Sequence, residues 1–144
     1  NYSSSASSMV NQAYQVLRSP MDRVNYILMS RFNINILDET SMTIKDPVLM
    51  NEMFILRETA SEITTKDEMS GFIADRQREL QQLGASLDGL MDQYDEAERQ
   101  QPAGDAALAA RFELKEEIKE VAVRMKYLSK VLVEMEKRLD EHLQ

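Results

Sequence analysis

An all-α fold is predicted by three features of this sequence. Apolar residues recur at three- and four-residue spacing over most of its length. Helix starts and stops are legible at Ser19-Pro20, Asp46-Pro47, Thr65-Lys66-Asp67-Glu68 and Pro102-Ala103-Gly104-Asp105. The last third carries a seam that alternates four and three: Leu114, Ile118, Val121, Met125, Leu128, Leu132, Met135, Leu139, His142.

Taken in order, residues 1–8 form a Ser-rich lead. Val10, Ala13, Tyr14 and Leu17 then follow helical spacing. Ser19, Pro20 and Asp22 mark a second helix, with a capping hydroxyl, a proline at the first position and an acid in the first turn. Its apolar stripe is Val24, Ile27, Leu28 and Phe32. Residues 33–45 lose the periodicity and read as a linker. A helix over 46–63 follows, started by Asp46-Pro47. The Thr65–Glu68 pair is a capping box for a long helix reaching about Arg99. Its seam is Phe72, Ile73, Leu80, Leu83, Leu87, Leu90, Met91 and Tyr94. Asp105 is read as the cap of a last helix running nearly to Leu143. Two helices of this length, each about 50 Å long, joined by a short turn, are antiparallel neighbours. With the 46–63 helix they predict a three-helix bundle, L-shaped if the N-terminal helices pack at its side.

Composition narrows the chemistry. The 144 residues are 43% apolar and 29% charged, with a formal net charge of −8. The chain has no Cys, and its one histidine is His142. Common nucleophile–base pairs, thiolate chemistry, zinc sites and iron–sulfur ligation need His or Cys. Gly71, Gly84, Gly89 and Gly104 are too widely spaced for a phosphate loop. The sequence therefore reads as a protein that works by surface contact: not an enzyme, with no cofactor and no metal site. His142 reads as a surface or capping residue, and Asp92, Asp95, Glu96 and Glu98 as a solvated face. An acidic surface disfavours nucleic acid and anionic lipid and suits a basic or neutral protein partner. No apolar run approaches the roughly 20 residues that span a bilayer. The absence of Cys fits a reducing compartment. Beginning at Asn1 without a visible signal segment, the chain reads as a truncated or processed product.

The 46–63 helix is the candidate functional element. Val48, Leu49, Met50, Met53, Phe54, Ile55 and Leu56 surround more of it than one buried face covers. Either the helix is buried on two sides, or Leu49, Met50 and Met53 stand outside as a docking patch. Tyr127 lies off the final seam between Val123 and Val131. That second stripe either packs on the 46–63 helix or extends its exposed patch.

Three segments carry a resemblance. The run from Ser8 to Pro20, SMVNQAYQVLRSP, with Arg23, Tyr26, Ile27 and Leu28, resembles the third and fourth helices of a J domain. More narrowly it is similar to the HscB family of iron–sulfur cluster co-chaperones. Asp46-Pro47-Val48-Leu49-Met50-Asn51-Glu52-Met53 resembles that family's Leu-Met-Glu-x-Met/Leu segment. Met125-Lys126-Tyr127-Leu128-Ser129-Lys130 resembles its Arg/Lys-aromatic-Leu-x-Lys motif. The resemblance implies a partial J domain over 1–32, a linker over 33–45 and a scaffold-binding domain over 46–144. It implies that Leu49, Met50, Met53 and Tyr127 bind a cluster scaffold of the IscU type. In the intact protein the J domain delivers that scaffold to a DnaK-type chaperone and stimulates its ATPase. The expected compartment is the mitochondrial matrix, or the cytoplasm in a bacterium. The alternative is a generic helical-bundle adaptor. The sequence departs from the family pattern in two places. The chain contains no His-Pro-Asp, the loop that contacts the chaperone. Phe54 and Arg57 fall where the family places acids, unless the register slips by one to align Arg57-Glu58 with its Arg-Glu pair.

Overall fold

The structure, a computed structural model, describes residues 20–38, 46–100 and 104–143. The expected helix around Val10 to Leu17 and the Ser19 cap lie outside the described residues. Among the described residues there are four α-helices: α1 (Pro20–Phe32), α2 (Pro47–Glu62), α3 (Lys66–Gln100) and α4 (Asp105–Leu143). No strand occurs among the described residues, and the fold is all-α. The chain divides into two compact units, Asn1–Thr43 and Ile44–Gln144.

In the first unit, α1 starts at Pro20 and ends at Phe32, followed by Asn33, whose φ of 55° is left-handed. Asn is among the few side chains that visit this region readily, and such a residue commonly ends a helix. The backbone then turns back, with Asn33 N donating to Met29 O at 3.1 Å and Ile34 N to Leu28 O at 3.2 Å. The buried Asn25 accepts the N–H of Ile36 on its Oδ1 at 2.8 Å. Leu28, Ile34 and Ile36 are buried. Residues 33–38 are therefore a packed part of this unit, correcting their reading as the start of a linker. A side chain eleven residues upstream takes the Ile36 amide and Asn35 takes those of Leu37 and Asp38, so no helical period is needed to hold them.

The second unit is built on α3 and α4. Met69 and Phe72 near the start of α3 pack with Val131 and Met135 near the end of α4. Gly84, midway along α3, faces the Met125 side chain. Early residues meet late ones and middle residues meet middle ones, so the helices are antiparallel. Ile118, Met125, Leu128, Leu132 and Met135 of the expected α4 seam are buried, as are Phe72 and Leu87 of the α3 seam. Other seam positions, Leu80, Leu83, Leu90, Leu114, Val121 and Leu139 among them, are partly buried, and His142 is exposed. The buried face of α4 is wider than its seam, because Val123 and Val131 also turn inward.

Local chemistry sets the helix ends. Thr65 Oγ1 accepts from Glu68 N at 3.2 Å and donates to Glu68 Oε1 at 2.8 Å, opening α3. Pro102 and Ala103 of the expected break lie outside the described residues. Beyond them, Gly104 has φ 111° and its carbonyl accepts from Leu108 N at 3.0 Å. Gly104 thus stands before the first helical residue, and Asp105, expected as the cap, is already inside α4. Its charge still opposes the positive end of the helix dipole.

Candidate docking helix

α2 is short and sharply bounded. Asp46 Oδ1 accepts from Val48 N at 2.9 Å, and Pro47 supplies the fixed φ suited to a first helical position. At the other end Ile63 is extended, and its N–H donates to Ala60 O at 3.2 Å. The 16 residues of α2 span about 24 Å, against about 52 and 58 Å for the 35 and 39 residues of α3 and α4.

α2 packs on α4 and runs in the same direction. Leu49 and Met53 meet Val123, with Leu56 and Tyr127 against that cluster. Farther along, Ile63 joins Val131 and Met135, with Leu56 and Ala60 beside them. The inner ridge of α2 is therefore Leu49, Met53, Leu56 and Ala60, at steps of four, three and four. That spacing keeps one face.

Of the four residues singled out in the sequence, three come together. Leu49, Met53 and Tyr127 share one cluster, but they do not form an exposed patch. Leu49 is 6% and Met53 8% exposed, and Tyr127 is partly buried. Only Met50 stands out, at 53%. Of the two readings of this helix, the exposed docking patch fails for Leu49 and Met53 and holds for Met50. Those two occupy the ridge facing α4, whereas Met50 is turned about 100° away from Leu49. The stripe of Val123, Tyr127 and Val131 resolves to its first reading, since it packs on the α2 segment.

The exposed apolar residues of α2 are Val48, Met50, Phe54 and Ile55. Met50 and Phe54, four residues apart, lie on one flank, and Val48 and Ile55, seven apart, lie on the other. Phe54, 60% exposed, extends the surface that Met50 begins. The sequence reading did not select it. The signal was present, because the row through Met50 and Phe54 is interrupted by Arg57 and the row of Leu49, Met53, Leu56 and Ala60 is not. The uninterrupted row belongs inside.

The surroundings are polar and mixed in charge. Arg124 Nη1 donates to Glu52 Oε2 at 2.6 Å, tying α2 to α4 at the surface. Lys126 and Lys130 hold their ammonium groups 5.5 and 5.6 Å from the Tyr127 ring centre, within reach of a cation–π attraction. Lys126 is 3% exposed, a buried position its charge did not suggest. Away from this region, Leu108 and Phe112 form another exposed apolar pair, one turn apart near the start of α4. Among the described residues no helix is long and apolar enough to cross a membrane.

The chain matches no protein-family model, and no solved structure matches it.

Proposed function

We propose that this chain is a co-chaperone of iron–sulfur cluster assembly, of the HscB type, whose docking helix α2 receives the cluster scaffold protein. One observation carries this reading. The residues that resemble the family's scaffold-binding segment and its aromatic motif, far apart in sequence, gather at the α2–α4 contact and leave Met50 and Phe54 beside it in solvent. Met50 and Phe54 are the direct apolar contacts. Leu49, Met53 and Tyr127 form the seat that holds the flank in place. Methionine adapts to an irregular partner surface, and an aromatic anchor suits the centre of an interface. The cluster travels on the scaffold, so this chain contributes binding and presentation. The reading places it in the mitochondrial matrix or a bacterial cytoplasm, as part of a protein that hands the scaffold to a DnaK-type chaperone. Stimulation of that ATPase needs a His-Pro-Asp loop, which this sequence does not contain, so the chain alone leaves the ATPase rate unchanged.

Titration calorimetry of the chain against an IscU-type scaffold tests the proposal. Binding that is lost in a Met50→Ala/Phe54→Ala variant of unchanged melting temperature supports it. An absence of binding by the wild-type chain refutes it in favour of a helical adaptor for another partner.

A further inference from the structure

The C-terminal end of α2 is held by a residue from another helix. Arg138 of α4 donates from Nη1 to Ala60 O at 2.6 Å and from Nη2 to Ile63 O. These carbonyls close the docking helix, where few backbone donors remain: Ala60 O already accepts from Ile63 N at 3.2 Å, and Arg138 adds a donor to each of the two carbonyls. A cation there also meets the negative end of the helix dipole. α2 has no basic residue of its own in its last turn, and Glu62 sits there instead. Arg138 therefore supplies from 75 and 78 residues away what helices commonly supply for themselves.

The other attachments of α2 are of a different kind. The Glu52–Arg124 bond is exposed on both sides, and such pairs hold weakly. The Leu49–Met53–Val123 cluster fixes the inward ridge and the Ile63–Val131–Met135 cluster covers its end, but apolar packing is non-directional. The guanidinium fork is planar and presents its donors in a fixed geometry. Two bonds from one rigid group to carbonyls three residues apart define both the height and the rotation of the helix end.

We infer that Arg138 is a positioning residue for the docking helix: it sets the orientation of α2 on α4, and through it the placement of the Met50 and Phe54 flank. Its consequence for partner affinity rests on the function proposed above. Its effect on α2 does not, and is measured without any partner.

The test compares the full chain with Arg138→Met, which keeps the apolar stem, and Arg138→Lys, which keeps the charge but not the fork. Hydrogen exchange is followed by mass spectrometry, and the Met53 methyl resonance by NMR. In Arg138→Met, amides near the end of α2 exchange about tenfold faster or more, while the centres of α3 and α4 keep their protection. The Met53 methyl shifts, because its seat on Val123 changes. Arg138→Lys gives an intermediate result. Unchanged exchange in α2 overturns the inference, and so does faster exchange throughout α3 and α4, which would make Arg138 a general stability residue. An unmoved Met53 methyl overturns it as well, since the helix would then be seated without the fork. If the wild-type chain binds the scaffold, Arg138→Met weakens that binding about tenfold at unchanged stoichiometry. If the wild-type chain does not bind, the proposed function fails while the exchange and methyl data still decide the role of Arg138.

Discussion

Leu49 and Met50 are adjacent in sequence and opposite in consequence. Leu49→Ala removes the equivalent of three methylenes from a side chain on a residue only 6% exposed. At about 0.8 kcal/mol per methylene the transfer loss is about 2.4 kcal/mol. A residual cavity adds to this, but Leu56 and Tyr127 are only partly buried beside the site and can relax into it. The expected cost is therefore about 2–3 kcal/mol, the lower part of the usual range for such truncations. For a unit the size of Ile44–Gln144, each kcal/mol moves the melting temperature by about 4–8 °C, so Leu49→Ala melts about 10–20 °C lower. Met50→Ala and Phe54→Ala remove side chains from residues more than half exposed, and each costs less than about 1 kcal/mol. Thermal unfolding followed by far-ultraviolet circular dichroism measures all three. Scaffold titration, at a temperature where every variant is folded, then separates packing from contact. If the proposed function holds, the Met50→Ala/Phe54→Ala variant loses about 2 kcal/mol, or about thirtyfold in affinity. A Leu49→Ala protein that melts with the wild type would refute the inward placement of the ridge. A Met50→Ala/Phe54→Ala protein that melts far below it would show that this flank is packed rather than offered to a partner.

Three other outcomes follow from the geometry. Leu128→Ala, at a residue of α4 that is 1% exposed, costs about 2–5 kcal/mol in chemical denaturation. Thr65→Ala removes the acceptor for Glu68 N and costs about 1 kcal/mol, whereas Thr65→Asp, also a good cap, recovers most of it. Gly104→Val forces a β-branched residue to φ 111° and costs about 1–3 kcal/mol. The space beside Gly104 is open, so that cost reflects backbone strain rather than a clash, and Gly104→Ala shows part of the same loss.

The helix ends were legible because short-range chemistry writes them. The Asp46 carboxylate reaches a backbone N–H two residues on, and the Thr65–Glu68 pair closes within one turn. The α3 and α4 seams were legible because each repeats over many turns against one neighbour. What escaped depended on contacts between distant residues. The packing of residues 33–38 rests on Asn25 reaching the Ile36 amide, which no local pattern announces. Arg138 looks like any surface cation until its fork meets the end of α2. The burial of Lys126 likewise follows from its place on the helix, not from its charge.

α2 combines both kinds of information, and this is why its apolar excess was visible while its assignment was not. The fold uses one ridge, Leu49, Met53, Leu56 and Ala60, because α4 offers one matching stripe through Val123, Tyr127 and Val131. Met50 and Phe54 lie off that ridge, so the packing of α2 on α4 gives no account of them. Exposed side chains of this size oppose solubility and contribute little to the core. Their side-by-side placement on a helix held at its surface by Arg124, in its interior by Val123 and at its end by Arg138 is what a docking surface requires. Under the proposed function these two side chains meet the partner while other residues keep the helix in place.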